Sequence, residues 1–139
     1  MQSYKQWMLK SGNDLRGSKV LLKEEIFDLC VYHAQQCAEK ILKAYLVYKK
    51  QEIIKTHELE LLVKLCRRFD DSFNILLNDA IELAPYCSKF RYPDDILIPD
   101  KEETLIVLDR SEKIYKFVKI KIIELERGQK NIFKNQNKN

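Results

Sequence analysis

The sequence predicts an all-α protein, an antiparallel up-and-down bundle of about five helices. Three observations carry this expectation. Only three glycines and three prolines occur in 139 residues, whereas an all-β chain needs a turn every 8–12 residues or so. Long segments place apolar residues three and four apart, the period of one helix face. The few breaks carry helix-boundary chemistry: Thr56, the run Asp70-Asp71-Ser72, and Pro85.

Each element follows from these signals. A first helix over residues 4–23 puts Tyr4, Met8, Ser11, Leu15 and Leu22 on one side, with Gly12 and Gly17 marking a kink or a close contact. A second, over 25–50, has its main stripe on Ile26, Cys30, Ala34, Cys37, Ile41, Ala44 and Tyr48. Phe27, Val31, Ala38 and Leu42 widen that stripe, so the helix should be central. Gln35, Glu39 and Lys43 point away from it, into solvent or an interface. Small residues in mid-stripe admit another backbone and suit a core or a dimer surface. Thr56 is placed to cap a third helix over 57–69, with Glu58 and Glu60 favourable in its first turn. Asp70-Asp71-Ser72 breaks the chain and can cap a fourth, which ends near Leu83 because Pro85 lacks an amide donor.

Residues 86–100 read as the one long internal loop, pinned by Phe90, Tyr92, Ile96 and Ile98. A last helix over 101–127 aligns Val107, Ser111, Ile114, Val118 and Leu125. It is expected to stop at Gly128, followed by a polar disordered tail. The domain organisation is thus one helical domain over 1–127 and a tail over 128–139.

Composition narrows function. A net charge of +4 and a pI near 8.8 permit an RNA or nucleotide partner without indicating one. The lysines at 113, 116, 119 and 121 read as a solvated face, with a phosphate-binding strip as the lesser alternative. Cys30, Cys37, Cys66 and Cys87 contain no Cys-x-x-Cys pair and have no histidine at zinc spacing, so a reducing compartment is expected and no metal. No secretory signal opens the chain, and no apolar run approaches the roughly 20 residues that span a bilayer. A cytoplasmic protein without membrane association follows. There is no glycine-rich phosphate loop, His-Glu-x-x-His or Gly-x-Ser-x-Gly, and no cofactor is expected. The acidic pairs 24–25, 70–71, 94–95 and 102–103 are neighbours that a helix splays apart, so they suit turns and helix starts.

Three blocks carry a resemblance: HAQQCAEKILKA at 33–44, Lys55-Thr56-His57-Glu58-Leu59, and Phe90-Arg91-Tyr92-Pro93-Asp94. In this order, within residues from about 5 to 125, the chain resembles the HEPN family of small helical proteins. The resemblance implies a prokaryotic helical-bundle homodimer paired with a separately encoded minimal nucleotidyltransferase, in a toxin–antitoxin-like or nucleotide-handling pair. Some members of that family are ribonucleases, which use an arginine followed four to six residues later by a histidine, on or beside the last helix. Here the only histidines are His33 and His57, and the only arginine preceding either is Arg16. No such pair exists, so a non-catalytic interaction protein is expected, with an RNA-acting ribonuclease or toxin as the alternative.

Two readings stand at each candidate ligand residue. His33, Gln36 and Lys40 share a flank of the second helix and could contact a phosphate, although a histidine beside an apolar face is commonly packed and hydrogen-bonded. Lys55 and His57 could assist an anion at the third helix N-terminus, or belong only to the helix entry. Arg91, beside Tyr92, could grip a phosphate bidentately or be a buried residue that pins its own loop through Asp94, Asp95 or a loop carbonyl. Lys40, His57 and Arg91 together would serve a nucleotide sensor.

Overall fold

The computed structural model describes residues 3–93 and 98–137. Within them the chain forms α1 (Tyr4–Lys23), α2 (Phe27–Tyr48), α3 (Leu59–Arg67), α4 (Leu77–Leu83) and α5 (Lys101–Asn137). A 3₁₀ turn precedes α4 at Asp71–Leu76 and another follows it at Ala84–Cys87. There are no strands among the described residues, and the all-α expectation holds. Among the same residues no helix is long and apolar enough to cross a membrane.

Contacts give the directions. Tyr4 bonds Glu126 and Lys19 bonds Glu112, so α1 and α5 are antiparallel. The Ser111 hydroxyl donates to the Ala34 carbonyl, while Phe73 meets Phe117 edge-on and Tyr86 bonds Glu103. These last two pairs set the α4 region antiparallel to α5. The irregular segment 49–58 carries the chain back along α2 and supplies the return leg before α3.

At the middle sits α2. Cys30, Val31, Ala34, Cys37, Ala38, Ile41 and Leu42 are fully buried. Its contact with α1 is drawn close by two serines and two cysteines, each pair seven residues apart. The Ser11 hydroxyl donates to the Cys37 carbonyl at 2.7 Å, and the Ser18 hydroxyl donates to the Cys30 carbonyl at 3.2 Å. Small side chains let the backbones approach, and the hydroxyls satisfy themselves there instead of remaining buried and unpaired. Burial pushes the thiols of Cys30 and Cys37 up to about 11, and that of Cys66 higher still; all four cysteines are free. Gly12 admits the Tyr115 hydroxyl, 3.2 Å from where a β-carbon would stand, whereas nothing approaches Gly17. The close contact expected of the two glycines is therefore made at the first.

Four boundaries differ from expectation. α1 and α2 each end with a non-glycine residue in the left-handed region, Glu25 (φ 58°) and Lys50 (φ 60°). There the amides of Ile26 and Gln51 reach back to the carbonyls of Leu21 and Leu46. This is the Schellman pattern without its usual glycine, so α2 starts at Phe27, two residues after the expected start. α3 starts at Leu59 because Thr56 accepts from the Glu58 amide in a local turn and does not cap a helix at His57. Asp70 does act as a cap, accepting from the Ser72 amide, but on the 3₁₀ turn. Finally, α5 does not stop at Gly128, and the expected disordered tail is helical to Asn137. One solvent-facing glycine costs about 1 kcal/mol, too little to end a helix already nucleated on the bundle.

Candidate functional site

Polar chemistry gathers along the side of α2 that the apolar stripe leaves open. Asp14 of α1 accepts from two α2 residues at once, His33 Nδ1 at 2.9 Å and Lys40 Nζ at 2.7 Å. Glu39 likewise accepts from Lys43 Nζ at 3.0 Å and from His57 Nδ1 at 2.8 Å. The same chain of lysine, carboxylate and imidazole thus occurs twice. In each, the carboxylate can only accept, so the imidazole Nδ1 carries the proton and Nε2 is its second nitrogen. The two differ in depth. Glu39 and Lys43 are buried, whereas the His57 ring lies mostly in solvent. Asp14 and Lys40 are more accessible.

Gln35 and Gln36 complete this face. Gln36 donates to the Gln35 Oε1 at 2.8 Å, and the Gln35 amide nitrogen, fully buried, has no partner among the described residues. This corrects the expectation that Gln35, Glu39 and Lys43 are solvated or form an interface. They lie inside the chain, where Lys43 also stands 5.6 Å from the centre of the Trp7 ring. The seam of Ala34, Cys37, Ala38 and Ile41 is equally inaccessible, so it is core and no dimer surface.

Arg91 lays its guanidinium 4.6 Å from the centre of the Tyr32 ring, and Tyr32 meets His33 edge-on. No carboxylate pairs with Arg91 among the described residues; Asp94 and Asp95, its expected partners, lie outside them. The 90–92 block and the His33 flank are therefore brought together through Tyr32. Lys55 and Tyr92 are exposed. Of the side chains expected to pin the 86–100 loop, Phe90 packs against the core, whereas Tyr92 and Ile98 face solvent; Ile96 lies outside the described residues. His57 precedes α3 and binds Glu39, which corrects its placement within the helix. Of the α5 lysines expected as a solvated face, Lys113 and Lys116 are largely exposed and pair one turn away with Asp109 and Glu112, while the less exposed Lys121 reaches across to Asp70.

Cavities add little to this flank. A groove of about 330 Å³ beside Trp7 reaches it only through Lys40. Another of about 300 Å³, between α4 and α5, is ringed by Glu82, Asp100, Glu102 and Glu103 and is the wrong sign for phosphate. Burial and the Glu103 bond raise the Tyr86 phenol in its wall well above the ordinary range. Among the described residues no three His, Cys, Asp or Glu side chains converge as a metal site.

Sequence reasoning missed Asp14, Tyr32 and the buried role of Glu39. For Asp14 a signal existed, because position 14 falls on the same face of α1 as Ser11, Leu15 and Ser18. An acid among small buried residues calls for a cationic partner.

Comparison with known proteins gives a concordant result. The family model described as HEPN domain matches residues 4–121. TT1696 from Thermus thermophilus has a crystal structure similar to this chain at a TM-score of 0.78 and 25% identity, covering 87% of this chain and 99% of that one. ST0689, described as an archaeal HEPN homologue, is similar in fold at a TM-score of 0.69 and 21% identity, covering 88% and 99%. No curated protein matches.

Proposed function

Because the chain belongs to the HEPN domain family, we propose that it is a non-catalytic interaction module. It acts in the cytoplasm as a homodimer that binds a separately encoded minimal nucleotidyltransferase, in a toxin–antitoxin-like or nucleotide-handling pair. The observation that carries this reading concerns the two imidazoles. α5 contains no histidine, and both histidines of the chain hold different carboxylates, His33 that of Asp14 and His57 that of Glu39. General acid–base cleavage of RNA needs donor and acceptor groups converging on one ribose phosphate. Here each imidazole secures its own pair of elements, α1 to α2 and the 49–58 segment to α2. Purified protein incubated with total RNA, with and without divalent metal, should leave the RNA intact, and tagged chain recovered from its native host should retain a small nucleotidyltransferase. Cleavage abolished by His33→Ala or His57→Ala would establish the ribonuclease alternative instead.

A nucleotide reading is favoured by one further observation, the Arg91 guanidinium stacked on Tyr32 without an acidic partner among the described residues. A guanidinium so held keeps its donors available to a phosphate. Lys55, Tyr92, His33, Gln36, Lys40 and His57 are the other candidate contacts. Calorimetry with ATP and GTP should register binding that weakens at least tenfold in Arg91→Ala. Unchanged affinity in that variant removes the site.

A further inference from the structure

The outward side of α5 carries a stripe that the bundle leaves uncovered. At 100° per residue, Leu105, Asp109, Lys113, Lys116 and Ile120 fall within roughly 80° of arc. Leu105 and Ile120 are 45% and 55% exposed, and the Asp109, Lys113 and Lys116 side chains 69%, 62% and 67%. Glu112 borders the stripe. Along the helix, the stripe is apolar, acidic, basic, basic, apolar.

That order has a mirror property. Reversing the helix about the bond between Glu112 and Lys113 carries Leu105 onto Ile120, Asp109 onto Lys116, and Glu112 onto Lys113. Each apolar residue meets an apolar residue and each charge its opposite. A parallel pairing in register would set Asp109 on Asp109 and Lys116 on Lys116, placing like charges together. A two-fold axis that crosses the helix pair demands a patch complementary to itself in the reversed sense, which an unrelated partner does not require.

We propose that this stripe is the contact face of a two-fold homodimer, in which α5 lies antiparallel against α5 of a second copy. Leu105 packs on Ile120 of the second copy at each end, roughly 22 Å apart along the helix. Between those ends, Asp109 faces Lys116 of the second copy on either side of the axis. Helices crossing at a shallow angle, near 20°, keep such a stripe in contact over several turns. Within one chain the pairs Asp109–Lys113 and Glu112–Lys116 already steady these side chains, so less side-chain freedom is lost on association. The apolar ends supply attraction, and the charges select the antiparallel register. The inference rests on the homodimer proposed above and assigns it a face, which the buried α2 seam cannot provide.

The test is a charge exchange read by sedimentation equilibrium. Asp109→Lys sets lysine against Lys116 of the second copy, and Lys116→Asp sets aspartate against Asp109, so each variant alone should self-associate at least 30-fold more weakly than wild type. In an equimolar mixture the lysine introduced in one variant meets the aspartate introduced in the other. On the opposite side of the axis native Asp109 still meets native Lys116. The mixture should therefore form a one-to-one heterodimer of near wild-type affinity. A wild-type dimer whose variants associate normally, or whose mixture is not rescued, overturns the α5 face and leaves the homodimer reading intact. A monomeric wild type at micromolar concentration removes both. Should either charge variant lose its helical melting transition, Leu105→Glu mixed with Ile120→Lys reads the same geometry under the same criteria.

Discussion

Glu39→Ala is expected to lower folding stability by about 3–5 kcal/mol, the range for removing one partner of a buried ion pair. Glu39 and Lys43 are 5% and 8% exposed and lie one turn apart on the central helix. Alanine leaves the Lys43 ammonium buried beside the Trp7 ring, with no carboxylate partner among the described residues. The same change releases His57, so the 49–58 segment loses a side-chain hydrogen bond to α2. Urea denaturation followed by circular dichroism measures the loss. Glu39→Gln keeps a hydrogen-bond acceptor and should fall between alanine and wild type. Joint replacement by Glu39→Leu and Lys43→Leu removes both charges and should recover most of the stability. A loss below about 1 kcal/mol for Glu39→Ala, the level of an exposed pair, would contradict the buried assignment. His57→Ala should cost far less, since its ring is largely in water.

The other large effect is expected at Phe73, where alanine should cost about 3–5 kcal/mol. Phe73 is fully buried although it belongs to a short 3₁₀ turn. Its ring packs against Tyr45 of α2, at 4.5 Å between centroids, and against Phe117 of α5, at 5.3 Å. One residue thereby ties the connection after α3 to both α2 and α5, and its removal opens a cavity that three separately anchored elements cannot close. Ile75, two residues on in the same turn, is 73% exposed. Ile75→Ala should stay within about 0.5 kcal/mol of wild type. Equal losses at the two positions in thermal or urea unfolding would contradict this division.

Much of the bundle was legible in the linear pattern. The all-α class, the central place of the second helix, and α1 with its start at Tyr4 all follow from apolar residues recurring at helical spacing. That signal is local, and burial then selects the face it marks. Boundaries were harder wherever the expected marker was missing or misleading. Glu25 and Lys50 adopt a conformation usually reserved for glycine, Thr56 forms a turn without opening a helix, and Gly128 sits within one. At Glu25, Lys50 and Gly128 backbone hydrogen bonding to neighbouring turns outweighs a propensity of about 1 kcal/mol, whereas at Thr56 the side chain accepts the Glu58 amide locally instead of capping a helix.

The candidate site divides along the same line. Composition and spacing were enough to select His33, Gln36, Lys40, His57 and Arg91 as notable, and the lack of an arginine-to-histidine pair is complete in the sequence alone. Which carboxylate each cation holds was not readable there. His33 finds Asp14 across 19 positions and His57 finds Glu39 across 18, and no helical period links residues on different elements. Even Glu39 and Lys43, one turn apart on α2, looked like solvent-facing residues, because periodicity reports an angle around one helix and is blind to what covers it. Residue pattern thus specifies which segments are helical and which face of each is apolar, though not where every helix begins and ends. Enclosure of the polar face of α2 as well comes from the packing of all the elements together, which no single helical period encodes.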